Sequence, residues 1–361
     1  MRSVKRRPKR NTKQEQIVAT IRRQIISEEL ISGSKLPTYD VLEKEFKVSR
    51  MTMQQALGQL KNDGFVNAVE RQGMFVSKRV PHLSRFGFLL PSHERNNHFW
   101  ELLLSEAKLY AEEMGYEIVV YRRLGKDYES QSEWERLVDD LKAERIGGMF
   151  IPFPLRECQH LDVFKDSSLP KFIFNKTDVP NVSQIELNEK EFVVKTLDYF
   201  IERNHNKVAF LCQWGKPPIY HYFIEEAQKR GMQTAEAWQF SLQNYETADN
   251  IMQLLMSMPV NQRPNAIFIA DDHLTEHASR GIIKSGVKLS RDVSIVAHHN
   301  WSGKFQPLLP IQYIGYDIRN IIENIIEAMR QYHLTKKFIE KKVFNPLFEE
   351  DYNFKTTGEH Y

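Results

Sequence analysis

Three groups of residues in this 361-residue chain have types and spacings that could do chemistry. The first is His273-Leu-Thr-Glu276-His277, an H-x-x-E-H pattern. Histidines four apart share one helical face and the glutamate could activate water, as in an inverted zinc-peptidase site. No third metal ligand is placed nearby, so hydrolysis is the weaker expectation and no cofactor is expected. The second group is a set of polar ends on apolar segments: Asp271 and Asp272 close NAIFIADD, and His298, His299 and Asn300 close DVSIVAHHN. The third is a basic N-terminus with six Lys or Arg in its first ten residues.

The elements that must position these groups follow from length and composition. The length favours two domains, and 41% hydrophobic with 27% charged residues permits a real core. No apolar run approaches the roughly 18 residues of a membrane-spanning helix, and no apolar stretch behind the charged start makes a signal peptide. A soluble, cytoplasmic protein with no membrane partner is expected. Cys158 and Cys212 cannot build a disulfide framework and stand in no zinc-binding spacing; both read as buried small hydrophobes.

The net charge of +3 conceals a separation of signs. Residues 1–80 hold 17 Lys and Arg against 8 Asp and Glu, which leaves 33 against 39 for the remainder. A basic head on an acidic body points to a polyanion, because Lys and Arg beside phosphates release condensed counterions.

Along the head, residues 1–11 lack periodic apolar residues and read as a disordered basic arm. Ile17, Ile21, Ile25 and Ile26 then recur at helical spacing. In LPTYDVLEKEF, Thr38 caps a short helix with Val41, Leu42 and Phe46 on one face. Ser49 caps a third helix with Met53, Ala56, Leu57 and Leu60 inward, and Gly64 stops it. FVNAVE and MFVSK alternate as two strands around Arg71-Gln72-Gly73.

The stretch KLPTYDVLEKEFKVSRMTMQQALGQLKNDGFVNAVERQGMFV resembles the winged helix-turn-helix of GntR-type transcription regulators, giving a DNA-binding domain over 12–79. The resemblance implies DNA contacts at Arg50, Thr52 and Gln54, flanked by Thr38, Ser49 and the wing residues Arg71, Gln72 and Gly73. A recognition helix presents its N-terminal residues to base edges, so Arg50 could pair with guanine or anchor phosphate. Gln54 and Asp40 stand where many relatives carry arginine, so the operator sequence cannot be borrowed from them. Gln55 is as well explained by solvent exposure as by contact.

A linker, 80–85, precedes alternating strands and helices over 86–361. The chain therefore reads as α/β: an N-terminal winged helix-turn-helix plus a two-lobed parallel α/β domain. No GxGxxG follows the first strand of the body, which weakens a dinucleotide enzyme. GYEIVVYRR, RIGGMFIPF, NHNKVAFLC, RPNAIFIADD and RDVSIVAHHN follow one another much as in LacI-type sensors of periplasmic-binding-protein fold. A GntR-type head on such a sensor resembles the arabinose-repressor subgroup.

In open parallel sheets ligands sit beyond the carboxyl ends of strands. Sugars suit aromatic faces with polar side chains, because their C–H faces are apolar and their rims are hydroxyls. The resemblance places effector contacts at His98, Phe99 and Trp100, at Asn175 with Lys176 beside it, and at Tyr220 near Trp214 and His221. Tyr245, Asp271, Asp272, His299, Asn300 and Tyr316 complete the set. Core packing explains each aromatic equally well, and Asp272 reads alternatively as an N-cap. No arginine matches the usual effector-binding one after VAFLC, and His299 replaces the usual aspartate.

The expectation is a homodimeric repressor of carbohydrate-utilisation genes that binds operator double-stranded DNA and is released by a small sugar or sugar derivative. It is not expected to be an enzyme. The alternatives are an activator with the same sensor, or a DNA-tethered metal-dependent hydrolase using His273, Glu276 and His277.

Overall fold

A computed structural model describes residues 12–90, 98–122, 131–151, 169–174, 182–287, 289, 293–302 and 309–357. The basic arm, Cys158, Asn175 and Lys176 lie outside the described residues, as does the side chain of His98. The chain divides into two compact units: segments 1–94, 108–184 and 324–340, and segments 95–107, 185–323 and 341–361.

The first unit begins with α1 (Lys13–Ile26), α2 (Tyr39–Phe46), α3 (Arg50–Asn62), β1 (Val66–Val69) and β2 (Gly73–Val76). Thr12 and Glu15 form a reciprocal capping box at the start of α1. The Ser49 side chain caps α3 through the Thr52 amide. Thr38 takes the cap position of α2, but its side chain makes no capping hydrogen bond. Gly64, at φ 83°, turns the chain after α3 in a conformation that favours glycine. Ile17, Ile21 and Ile25 of α1 meet Met53, Ala56, Leu57 and Leu60 of α3 in one buried cluster with Phe65 and Val76. Val41, expected on the inner face of α2, is instead 51% exposed. Eight residues give α2 only two turns, and Leu42 alone is fully buried there.

The residues of the linker are packed. Pro81–Ser84 forms a helical turn, α4. His82 is 4% exposed, lying between the Phe65 ring at 6.2 Å and the His333 ring at 5.5 Å. The chain then enters a sheet of order β13-β7-β6-β5-β3-β4. Its members are β3 (Arg85–Leu90), β4 (Glu117–Arg122), β5 (Met149–Ile151), β6 (Lys171–Phe174), β7 (Val182–Leu187) and β13 (Lys341–Phe344), with α5 (His98–Met114) and α6 (Gln131–Lys142) between the earlier strands; β13 and the start of α5 fall in segments of the second unit.

An ionic chain runs through this unit. Asp63, the C-cap of α3, receives Arg22 of α1 at 2.9 Å and Arg145, just beyond α6, at 2.8 Å. Arg145 continues to Asp140 at 2.7 Å, which also accepts from Arg85 at 3.1 Å and from the Tyr121 hydroxyl at 2.6 Å. The side chains of Arg22, Asp63 and Asp140 are 9%, 5% and 4% exposed, so their charges are satisfied mainly by one another.

Burial holds the His82 imidazole neutral, its pKa falling to about 3, with the charges of His333 and Lys336 acting in the same direction. The unfolded chain takes up this proton below about pH 6.5 and the folded chain does not. His82 therefore costs the unit about 1.4 kcal/mol for each pH unit below 6.5. Denaturant unfolding of the wild-type chain should give clearly lower stability at pH 5 than at pH 7. His82→Gln should flatten that difference; a wild-type chain equally stable at both would refute the assignment.

The second unit carries a sheet of order β14-β12-β11-β10-β8-β9. The strands are β8 (Val208–Gln213), β9 (Gln239–Leu242), β10 (Ala266–Ile269), β11 (Ser294–His298), β12 (Gln312–Gly315) and β14 (Leu347–Phe348). The helices are α7 (Glu189–Glu202), α8 (Pro218–Lys229), α9 (Thr247–Ser257), α10 (Asp272–Ser285), α11 (Ile318–Thr335), which from residue 324 on belongs to the first unit, and α12 (Glu349–Thr357). β9, β8, β10, β11 and β12 are parallel and β14 antiparallel. In chain order the parallel strands read 2-1-3-4-5, a doubly wound sheet whose direction of winding reverses between β8 and β10. Among the described residues no helix is long and apolar enough to cross a membrane.

Candidate functional site

The parallel register fixes what stands at the carboxyl ends of the second unit's strands. Leu211, Ile269, Ala297 and Tyr313 are level across the sheet. Gln213, Asp271 and His299, two residues further along three of these strands, and then Asp272, Asn300 and Tyr316, therefore line the carboxyl edge of the sheet, with Gln213 and Asp271 flanking the reversal point. A ligand is expected there because the helices diverge and leave a crevice.

Asp271 is the N-cap of α10, accepting from the His273 amide at 3.0 Å. This corrects the capping alternative for Asp272, which is instead the first helical residue and is used differently. Its Oδ2 accepts from Asn300 Nδ2 at 2.8 Å, and its Oδ1 lies 3.0 Å from His273 Nδ1. A carboxylate only accepts, so the Asn300 amide nitrogen faces it and Asn300 Oδ1 is left for His298 Nε2 at 3.2 Å. That fixes Nε2 as the protonated nitrogen of His298. The His273 ring stacks on Tyr245 at 5.0 Å, and the Tyr245 hydroxyl accepts from Gln213 at 3.2 Å.

The Asp271 and Asp272 carboxylates, 3.3 and 3.0 Å from Nδ1, push the His273 pKa up to about 10, against the opposing effect of burial. Burial alone would raise the Asp272 pKa, but His273, His298 and Asn300 hold it far below the usual carboxylate range. The result is an imidazolium between two carboxylates. Asp271, Asp272 and His273 offer ligand atoms within 4.8 Å of one another, a grouping that could also hold a metal ion. Glu276 and His277 do not join that grouping. Glu276 pairs instead with Arg280 one turn along.

Tyr316 is 3% exposed and packs on Phe192 at 6.0 Å. Its hydroxyl has no hydrogen-bond partner among the described residues. Burial and the nearby Glu189 push its pKa well up, so it is a neutral donor. The structure separates two histidines that the sequence left as neighbours. His298 joins Asn300, Phe192 and Tyr316, whereas His299 turns its edge to Trp301 at 5.1 Å and Tyr313 at 6.2 Å. Tyr220 gives its hydroxyl to Gln239 at 2.8 Å, well back along the sheet from the strand ends, and Trp214 is 64% exposed. Phe99 and Trp100 are half-buried on the first turn of α5, with ring centres 4.9 Å apart. The sequence reading missed Gln213, Glu189 and Phe192 and gave His273 only a metal role. Its signal was there: His273 directly follows Asp271 and Asp272 at a helix start.

The other candidate surface is the head. Arg50 is the first residue of α3 and is exposed, with Gln54 and Gln55 exposed one turn on. Thr52 is half-buried, its hydroxyl 3.1 Å from that of Ser49. Ser49 therefore shapes the helix start, and Thr38 is exposed beside it. At the wing tip Arg71 takes φ 59° and Gly73 φ 104°, with the Arg71 side chain 91% exposed and Gln72 exposed between them.

Residues 13–76 match the model of bacterial regulatory proteins of the gntR family, and residues 197–337 match a periplasmic binding protein-like domain. The chain is 20% identical over 293 residues to the arabinose metabolism transcriptional repressor of Geobacillus stearothermophilus, spanning 77% of this chain and 79% of that one. It is 41% identical over 63 residues to the mannosyl-D-glycerate transport/metabolism system repressor of Escherichia coli K12, which is 18% of this chain and 26% of that one. It shares its fold with a solved LacI family transcriptional regulator from Lactobacillus casei with bound glucose. The TM-score is 0.54 at 16% identity, over 74% of this chain and 98% of that one. The chain thus joins a head that matches the gntR family model to a body that matches a periplasmic binding protein-like domain.

Proposed function

We propose that this protein is a homodimeric repressor of carbohydrate-utilisation genes that leaves its operator when a sugar or sugar derivative occupies the strand-end site of the second unit. One observation carries the reading: a single chain joins an exposed helix start at Arg50 to a group of carboxylate, amide, imidazole and phenol side chains along a sheet's carboxyl edge. Asp271 and Asp272 would accept from sugar hydroxyls, Asn300 and Tyr316 would serve the rim, and Tyr245 offers an apolar face. The fully buried Tyr316 hydroxyl lacks a partner among the described residues, which supports a ligand role because such a group otherwise loses hydrogen bonding on folding. A dimer would set two heads on half-sites about one helical turn apart. Antagonistic coupling of 1–3 kcal/mol, typical of allostery, would change operator affinity roughly 5- to 150-fold.

The test is titration of sugars, sugar phosphates and amino sugars against melting temperature and operator binding. At least one should raise the melting temperature and weaken operator binding, and no effect from any of them sinks the sensor reading. Tyr316→Phe should leave stability and operator binding near wild type while weakening the active sugar roughly tenfold. Asp272→Ala should keep DNA binding but blunt the response. Wild-type responses in both variants would place the sensor site elsewhere.

A further inference from the structure

Arg50 is not free on the surface of the head. Its Nη1 donates to Asp40 Oδ1 at 3.0 Å and lies 3.8 Å from Glu43 Oε1, and its guanidinium stands 5.4 Å from the centre of the Tyr39 ring. All three partners come from the first turns of α2. The Asp40 side chain is 76% exposed, on the face the head would turn toward DNA. Exposed ion pairs contribute little stability, so the fold does not explain a carboxylate at this place. A carboxylate facing a duplex also repels phosphate. Arg50, Asp40 and Glu43 together carry a net negative charge, which makes this arginine a poor phosphate anchor.

The geometry suits another target. With Nη1 held by Asp40, the edge formed by Nε and Nη2 has no acceptor among the described residues. Two parallel donors on one edge match O6 and N7 of guanine, which are neutral acceptors in the major groove. The guanidinium also stands over the Tyr39 ring, a second contact that favours this placement. Asp40 Oδ2 remains open, and a carboxylate oxygen there suits the N4 amino group of a cytosine.

We propose that Asp40 is a specificity-determining residue. It orients Arg50 onto a guanine in each half-site and repels phosphate at the same point, so that the pair reads a base and weakens binding to unrelated sequence. The proposal rests on the reading of the head as a DNA binder and adds which residue sets its selectivity.

The experiment selects duplexes from a randomised pool with the full-length wild-type chain. It then measures binding of the selected duplex, of its single-base variants and of an unrelated duplex at several salt concentrations. Wild type should prefer guanine at one position per half-site by roughly 5- to 150-fold, the value of a bidentate contact. Asp40→Asn, which removes the charge and keeps the shape, should reduce that preference to a few-fold. It should also bind the unrelated duplex roughly three- to tenfold more tightly, with a salt dependence steeper by about one counterion per head. Arg50→Lys, a point charge without two parallel donors, should lose the guanine preference and keep residual binding. Asp40→Glu should restore part of it, which a purely structural role for Asp40 would not predict. An Asp40→Asn protein with wild-type base preference and salt dependence overturns the proposal. A wild-type chain that selects no sequence overturns the DNA-binding reading itself, and this proposal with it.

Discussion

Arg50→Ala should abolish selective operator binding while leaving the fold as it is. Each head loses a contact worth about 1–3 kcal/mol, and two heads on one operator lose at least about 30-fold in affinity. The loss is enlarged because Asp40 and Glu43 are then left facing the duplex with no cation between them. The buried face of α3, formed by Met53, Ala56, Leu57 and Leu60, is untouched, and the Ser49 cap remains. Unfolding midpoints should therefore move by no more than a surface substitution does, about 0.5 kcal/mol. Electrophoretic or fluorescence titration beside a denaturation curve checks both halves. A variant that keeps wild-type selectivity would remove α3 from the role of reading helix.

Asp63→Ala should be among the most destabilising single changes in the first unit, at about 3–5 kcal/mol, because it leaves buried positive charge without its partner. Arg145 keeps Asp139 and Asp140, whereas the largely buried Arg22 loses the carboxylate it pairs with. The cost thus falls mainly on Arg22. Replacing both residues, Asp63→Leu with Arg22→Met, should recover much of it, since apolar substitutes for a buried pair are often neutral or stabilising. Chemical denaturation of the two variants decides the matter. A cost under about 1 kcal/mol for Asp63→Ala would mean that water, not protein, satisfies these charges.

Local features were legible in the sequence because their causes are local. Ser49 and Gly64 mark helix ends by side-chain chemistry or backbone freedom, and each does so in the structure. Asp271, Asp272 and Asn300 come together because parallel strands in register deliver successive segment ends to one edge, and the sequence shows where each segment ends. His298 and His299 were harder. Adjacent strand residues face opposite ways, and both flanking residues, Ala297 and Asn300, are buried, so no alternation of burial told them apart. The pairing of Asp63 with Arg145, 82 residues apart, was illegible because nothing in either neighbourhood specifies the other. The same holds for His82, whose surrounding residues read as a connection until Phe65 and His333 closed around it.

The Asp63 junction limits how freely this module can be exchanged. A reading head transplanted from another regulator would bring its own residue to the end of the recognition helix, and Arg145 would meet a stranger there. Portability of such heads then depends less on the length of the intervening peptide than on whether donor and recipient agree about one acid and two bases.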